Sequence, residues 1–197
     1  MEGIVICTDN PKRLKMIKKS KKDSREGLLI NITGNGKGKT TSALGTCMRA
    51  LGWGWQVSII QFIKNKQENG EKRFAATISQ GLEMVQCGLG LTHNSKASKA
   101  QHIEAACEAW EKAKSHLQSE KADLLVLDEL NIVLKLGWLD IDDVINALQK
   151  RPKWMHVIIT GRNAPDKLIA ASDMVSEIKE IKHPYKSGTK AQKGIEY

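Results

Sequence analysis

A glycine-rich loop between an apolar run and a helical pattern constrains this chain more than any other feature. The loop, residues 33–41, reads TGNGKGKTT. It follows the largely apolar residues 28–32 and leads into a helix-like run over residues 41–51. A strand, a glycine loop, a Lys-Thr pair and a helix in this order are typical of a phosphate-binding P-loop. The sequence therefore predicts that the chain binds a nucleoside triphosphate.

Each part of the loop has a chemical task in that interpretation. Glycines let backbone N–H groups approach an anion, and the following helix adds the positive end of its dipole. Lys39 is expected on phosphate oxygens, and the Thr40 hydroxyl is expected on a magnesium ion. The candidate ATP-binding residues of the loop are Gly34, Asn35, Gly36, Lys37, Gly38, Lys39, Thr40 and Thr41. Thr33 stands where the usual pattern has its first glycine, so a glycine-rich turn that merely starts a helix is the alternative.

Apolar runs alternate with helical patterns along the rest of the chain. Strands are predicted at residues 28–32, 56–62, 82–86, 124–127, 156–160 and 174–178. The clearest amphipathic helices span residues 103–117 and 141–148, with Asp140 as the N-cap of the second. Continuous apolar strands are typical of parallel sheets covered by helices. We expect an α/β, three-layer P-loop NTPase (RecA-like) domain with a mostly parallel central sheet and ligands at the strands' carboxyl ends.

Two acidic residues follow the most apolar of these strands. Asp128 and Glu129 come directly after residues 124–127, which is the layout of a Walker B element. Both are candidate magnesium ligands together with Thr40. The alternative is that one carboxylate only orients Thr40 or caps the next helix. Arg162 follows the fifth strand and is expected either to contact phosphate or to be a surface arginine at a strand end.

The chain has a net charge of +9, which favours an anionic partner such as ATP, nucleic acid or a phosphorylated substrate. Residues 1–26 carry eight basic and four acidic residues, so we expect a basic tail or lid helix there and the P-loop domain at residues 27–197. A nucleic-acid-binding arm is the alternative for this segment. Because Phe and Tyr number only two each, stacking of bases is disfavoured and no nucleic-acid partner is expected.

The four cysteines and the hydropathy pattern indicate in which cellular compartment the protein works. The cysteines form no Cys-x-x-Cys pair, and no apolar run is long enough for a signal peptide or a membrane span. These features predict free thiols in a reducing cytoplasm and no membrane partner.

The motifs together resemble one family, the P-loop ATP:corrinoid adenosyltransferases of cobalamin biosynthesis and salvage. The resemblance spans about residues 27–197. It is carried by the loop at residues 33–41, QFIK at 61–64, NGE at 69–71, LDEL at 127–130, IITGR at 158–162 and the ending KAQKGIEY at 190–197. The loop without its first glycine and the Lys-Ala-Gln-x-Gly-Ile ending are specific in combination.

This resemblance implies a reaction. In the family, Co(I) of a reduced corrinoid attacks the ribose C5′ of ATP, and triphosphate leaves intact from a nucleotide that lies reversed along the loop. ATP and corrinoid are then substrates, magnesium is the cofactor held by Thr40 and Glu129, and Lys39 stabilises the leaving polyphosphate. The resemblance also implies a homodimer and an electron-donating reductase or flavoprotein as partner. A generic P-loop ATPase or kinase that cleaves the terminal phosphate is the alternative, and an ATP-regulated nucleic-acid-binding module is a third hypothesis.

The corrinoid side departs from the family's pattern. Members usually carry Phe-Thr-Trp after the third strand, where the aromatics cover the lower face of the corrin. Here Leu91, Thr92 and His93 stand at these positions, which makes Leu91 and His93 the candidate corrinoid-binding residues. Leu91 can still exclude water, whereas an imidazole bound to cobalt would oppose reduction. Either the Co(II) of the bound corrinoid then loses its lower axial ligand less completely, or the enzyme prefers corrinoids with a different lower ligand.

Overall fold

The computed structural model describes residues 25–65, 68–90 and 96–196. The candidate corrinoid residues Leu91 and His93 lie outside the described residues, as does the basic segment before residue 25.

Six parallel strands form one sheet with the order β3-β2-β4-β5-β1-β6. The prediction of an α/β domain with a mostly parallel sheet is confirmed, and the strands differ from their predicted bounds by at most one residue at either end. In chain order they are β1 Leu29–Thr33, β2 Val57–Gln61, β3 Leu82–Gln86, β4 Leu124–Asp128, β5 His156–Thr160 and β6 Met174–Glu177.

The helices connect these strands. They are α1 Lys39–Gly52, α2 Gly70–Thr77, α3 Lys99–Gln118, α4 Leu130–Lys135, α5 Ile141–Gln149 and α6 Asp166–Ala171, followed by a 3-10 turn at Pro184–Ser187. Asp140 caps α5 as predicted, since its Oδ1 accepts the N–H groups of Asp142 and Asp143 at 2.8 and 2.9 Å. The sequence did not predict α2, α4 and α6, because helices of six to eight residues are too short to show a clear period. Within the described ranges, no helix combines the length and the apolar character that crossing a membrane requires.

Side chains of β4 alternate between two apolar cores, one on each face of the sheet. Leu125 and Leu127 pack into the larger core with α3, α4 and α5. Leu124 and Val126 pack into a second core with α1. This alternation follows from the two-residue period of a strand and produces the three layers that the sequence predicts. A strand that is buried on both faces delivers its last residue, Asp128, to the carboxyl edge of the sheet in a fixed position.

Candidate nucleotide-binding site

The first two glycines of the loop are required by packing against the chain that follows β6. Gly34 has a φ of 97°, and a Cβ there would lie 2.4 Å from the Ile178 carbonyl oxygen. A Cβ at Gly36 would lie 2.7 Å from the Lys179 carbonyl oxygen, and the Gly36 N–H donates to the Ile178 carbonyl at 2.8 Å. The absence of a side chain at both positions therefore allows a close approach between two backbone segments, and their predicted contact with phosphate stays a prediction.

The start of α1 presents unused backbone donors. Gly38 precedes the helix in the left-handed region, with a φ of 119° and no side-chain cap. The N–H of Ser42 donates to the Gly38 carbonyl at 2.8 Å, so the N–H groups of residues 39–41 precede the first intrahelical bond. Such a helix start is a site for an anion, because its N–H groups and its dipole both favour negative charge.

Lys39 is held over the loop that precedes it. Its ammonium donates to the Gly36 carbonyl at 2.6 Å. Burial lowers the pKa of Lys39, the charge of Arg162 lowers it further, and Glu129 partly offsets both. A bound polyphosphate would reverse this shift, since an anion stabilises the charged form of the amine.

A cavity of about 680 Å³ lies at this edge of the sheet. It brings together most of the residues predicted to bind ATP. It is lined by Gly36, Lys37, Gly38, Lys39, Thr40, Thr41, Leu44, Lys64, Gly70, Glu71, Glu129, Ile132, Thr160, Gly161, Arg162, His183, Gly194, Ile195 and Glu196. Two predicted loop residues do not line it: Gly34 packs as described above, and Asn35 is exposed beside Arg162 in a separate polar cleft.

Asp128 lies buried beneath this cavity and has several donors to its carboxylate. The Oδ1 atom accepts the hydroxyls of Thr40 at 2.8 Å and Thr160 at 2.7 Å. The Oδ2 atom accepts the Gln61 side-chain amide at 2.8 Å. A carboxylate with this set of donors orients Thr40, which is the role that the sequence left open for one of the two acids.

Glu129 lines the cavity itself. It sits at the turn between β4 and α4 with a φ of 67°, and its N–H donates to the Thr160 hydroxyl at 2.9 Å. Burial raises the pKa of Glu129 to about 7, with a further contribution from Asp128 that the neighbouring cations partly offset. A cation beside this carboxyl would stabilise its ionised form.

The donor set of the site fits magnesium. The Thr40 hydroxyl and the Glu129 carboxylate offer oxygen atoms, which Mg²⁺ prefers, and the ion usually takes one or two carboxylates with its remaining ligands from phosphates and water. Among the described residues, no group of three or more His, Cys, Asp or Glu side chains is placed to hold a metal.

Several residues at the cavity were not assigned a role from the sequence. Lys64 pairs with Glu71 at 3.0 Å, and although burial alone would raise the pKa of Glu71, its own N–H and Lys64 lower it. Lys37 pairs with Glu196 at 2.6 Å, so the end of the chain lies across the loop. The acidic partners of these pairs, Glu71 and Glu196, lie in the motifs at residues 69–71 and 190–197. His183 also lines the cavity but belongs to none of the motifs.

An all-parallel α/β sheet with a glycine loop between β1 and α1 and a buried acid at the end of β4 defines a P-loop nucleotide-binding domain of the RecA-like class. Residues 25–197 match the family model of ATP:corrinoid adenosyltransferase BtuR/CobO/CobP. The chain belongs to this family and is a transferase, which confirms the resemblance read from the motifs.

Curated corrinoid adenosyltransferases are similar to this chain over most of its length. A corrinoid adenosyltransferase of Pseudomonas aeruginosa is 42% identical over 87% of this chain and 84% of its own length. Corrinoid adenosyltransferases of Escherichia coli K12 and Salmonella typhimurium are 40% and 41% identical, each over 87% of this chain and 86% of the relative. The crystal structure of flagellar accessory protein FlaH from Methanocaldococcus jannaschii superposes with a TM-score of 0.55 at 12% identity, covering 78% of this chain and 71% of that one. At this identity the likeness to FlaH shows the fold alone.

Proposed function

We propose that the chain transfers the 5′-deoxyadenosyl group of ATP to the Co(I) of a reduced corrinoid and releases intact triphosphate. Membership of the adenosyltransferase family over residues 25–197 carries this proposal. The cavity supports it, because Lys39 at the start of α1 and Arg162 after β5 line the same volume of about 680 Å³. Cations in this position stabilise the charge that accumulates on a departing polyphosphate.

The reaction forms one bond and breaks one. The electron pair of Co(I) forms the cobalt–carbon bond at C5′, the C5′–O bond breaks, and its electron pair leaves on the triphosphate. No side-chain base is needed, since no proton moves in this step. The tasks of the protein are to position C5′ and to stabilise the leaving group. The N–H groups of residues 39–41 and the Lys39 ammonium perform the second task in this proposal. Arg162 contacts the phosphates in this proposal.

Thr40 and Glu129 would hold magnesium, and Asp128 would hold Thr40. Because the Thr40 hydroxyl donates a hydrogen bond to Asp128 Oδ1 at 2.8 Å, the lone pairs of the Thr40 oxygen remain available to a cation. When bound, magnesium supplies positive charge to the polyphosphate oxygens.

For the corrinoid side we propose Leu91 and His93 as contacts to the lower face of the corrin. Co(I) must be supplied by reduction of Co(II), so an electron-donating reductase or flavoprotein is the proposed partner. A Co(II) spin-resonance spectrum of the ATP complex tests the role of His93. Nitrogen hyperfine splitting would show that an imidazole coordinates cobalt, and its absence leaves His93 as a covering residue.

We also propose a homodimer in the cytoplasm. Met48 and Phe74 line an apolar groove that adjoins the nucleotide cavity at Leu44. Their exposed fractions are 66% and 53%, as expected of apolar side chains that a second copy covers. The free thiols at Cys47, Cys87 and Cys107 suit a reducing compartment. Sedimentation that detects only monomer at working concentration would contradict the dimer.

Product analysis tests the main proposal. The protein is mixed with ATP, Mg²⁺ and a chemically reduced corrinoid, and the absorption spectrum is followed before and after illumination. We expect a light-sensitive alkylcobalt spectrum together with one triphosphate for each corrinoid. ADP and orthophosphate as the main products, without an alkylcobalt species, would instead support an ATPase or kinase.

A further inference from the structure

Three neighbouring strands end in polar residues that lie side by side. Gln86, Gln61 and Asp128 are the last residues of β3, β2 and β4. Gln61 is paired with Gln86 on one side and with Asp128 on the other in the strand register. Because side chains at paired positions of parallel strands point to the same face, these three form a row across the carboxyl edge of the sheet. We call this row the amide ladder.

Hydrogen bonds join every step of the amide ladder. The Gln61 Nε2 donates to Asp128 Oδ2 at 2.8 Å, and the Gln86 Nε2 donates to Gln61 Oε1 at 2.9 Å. Gln61 and Asp128 are both 0% exposed. The ladder then reaches the P-loop through Asp128 Oδ1, which accepts the Thr40 hydroxyl.

The chemistry of the carboxylate sets the direction of the whole ladder. An ionised carboxylate only accepts hydrogen bonds, so Gln61 must turn its nitrogen toward Asp128 and its oxygen toward Gln86. Gln86 must then present its nitrogen to Gln61. The same rule obliges the Thr40 hydroxyl to donate a hydrogen bond to Asp128, which leaves the oxygen lone pairs of Thr40 for a cation.

We propose that Gln61, held in turn by Gln86, is a positioning residue for the cation that Thr40 binds. This inference rests on the proposed magnesium site and adds to it the residues that fix Asp128. Gln61 contacts neither nucleotide nor metal in this role and acts through Asp128. Removal of a residue that hydrogen-bonds a metal ligand typically lowers metal affinity by about 10- to 100-fold, and because Gln61 stands one hydrogen bond further out we expect the lower end of this range.

A purely structural role would have a different signature. Apolar residues of the same shape can replace a buried amide pair at little cost to folding. If the ladder served folding alone, its loss would weaken metal-free and metal-bound nucleotide complexes to the same extent. If the ladder positions Asp128, its loss lowers the gain in ATP affinity that Mg²⁺ produces and leaves the affinity without metal nearly unchanged.

The test is calorimetric binding of ATP to the full chain without corrinoid, so that no transfer occurs. ATP affinity is measured with Mg²⁺ and with EDTA in the wild type, Gln61→Met, Gln86→Met and the double variant. Methionine keeps the length of the side chain and removes its amide. For Gln61→Met we expect the Mg²⁺-dependent gain in affinity to fall by about tenfold, while affinity in EDTA changes less than twofold.

Gln86→Met is expected to reduce the Mg²⁺-dependent gain by about threefold, because Gln86 acts only through Gln61. For the same reason the double variant should be no weaker than Gln61→Met alone. Two controls accompany these variants. Gln149→Met makes the same change at an exposed position of α5, and Leu148→Ala destabilises the fold from a buried position of α5. Both controls should retain the full Mg²⁺-dependent gain.

Three results would count against the inference, and they are distinguishable. An unchanged Mg²⁺-dependent gain in Gln61→Met, in a wild type that does respond to Mg²⁺, removes the role of the ladder and leaves the magnesium site standing. A wild-type affinity that does not respond to Mg²⁺ removes the magnesium site and the ladder's role with it. Equal losses with Mg²⁺ and with EDTA would assign Gln61 to folding and also count against the inference.

Discussion

The two halves of the sheet's carboxyl edge differ in how completely they are built. In the phosphate half, formed by β1, β4, β5 and α1, all five residues of β4 are buried. In the outer half, formed by α2 and β3, neither element has a fully buried residue. The phosphate half is therefore preorganised by its own packing. The outer half has little burial of its own to hold it, so we expect bound substrate or a second subunit to complete it.

The largest expected effect concerns the phosphate half. Lys39→Ala removes the ammonium that the loop fixes at the start of α1, so stabilisation of the departing polyphosphate is lost. We expect the rate of adenosyl transfer to fall by about 10²- to 10³-fold. The measurement is the initial rate of alkylcobalt formation with chemically reduced corrinoid, alongside a circular dichroism melt to show that the fold is retained.

Lys37→Ala is the matched control for Lys39→Ala. Lys37 belongs to the same loop, but its side chain is 41% exposed and is paired with Glu196. A partly exposed ion pair is screened by solvent and contributes little, so we expect a change of less than about fivefold. Equal losses in the two variants would show that the loop acts through net charge and not through the fixed position of Lys39.

The second prediction compares the stability of the two halves directly. Leu127→Ala, at a side chain with 0% exposure in β4, should lower the free energy of unfolding by about 2–5 kcal/mol. Met84→Ala in β3 should cost about 1 kcal/mol, because its side chain is only partly removed from water. Urea denaturation of both variants measures the difference. Similar losses would mean that the outer half is as well packed as the phosphate half.

The sequence was most informative where the chain is buried. Residues 124–127 predicted β4 because a strand covered on both faces must be apolar throughout. β6 was also placed correctly, although all four of its residues are exposed. The helix α4 was missed because Glu129 turns directly from the strand into it, and six residues do not display a helical period.

The site was only partly predictable for a different reason. Local motifs identified Lys39, Thr40, Asp128 and Glu129, since each stands at a fixed place relative to a strand. The partners of Asp128 could not be recognised in this way, because Gln61 and Thr160 reach it from other strands and their proximity depends on the register of the sheet. The Lys37–Glu196 pair likewise joins two distant parts of the chain.

The third prediction concerns the pH dependence of metal-linked ATP binding. Glu129 has a pKa of about 7 in the nucleotide-free protein, mainly because it is buried. Binding of Mg²⁺ requires the ionised form, so below this pH each binding event must release a proton. We expect the Mg²⁺-dependent affinity for ATP to fall by up to about tenfold for each pH unit below the pKa and to level off above it. Calorimetry in buffers of different ionisation enthalpy measures the released proton.

Glu129→Gln should remove this pH dependence as well as most of the Mg²⁺ response. The same group also affects the nucleotide-free protein. Its pKa is raised from 4.5 to about 7, so the folded state binds the proton more tightly than the unfolded state. Its contribution to stability is therefore present at acidic pH and is lost as the pH rises through this range. A proton release that persists in Glu129→Gln would assign the titration to another group.

The smallest expected effect lies where the end of the chain crosses the phosphate half. Glu196 pairs with Lys37 at 2.6 Å, and an arriving polyphosphate would compete with this carboxylate for the same ammonium. Glu196→Gln removes the competing charge and leaves the shape of the chain end unchanged, so the KM for ATP should fall by about twofold to fivefold with kcat unaltered. High salt should erase the difference between variant and wild type, because the pair is partly exposed. A rise in KM would show instead that Glu196 supports nucleotide binding and that the phosphate half is complete only with the chain end in place.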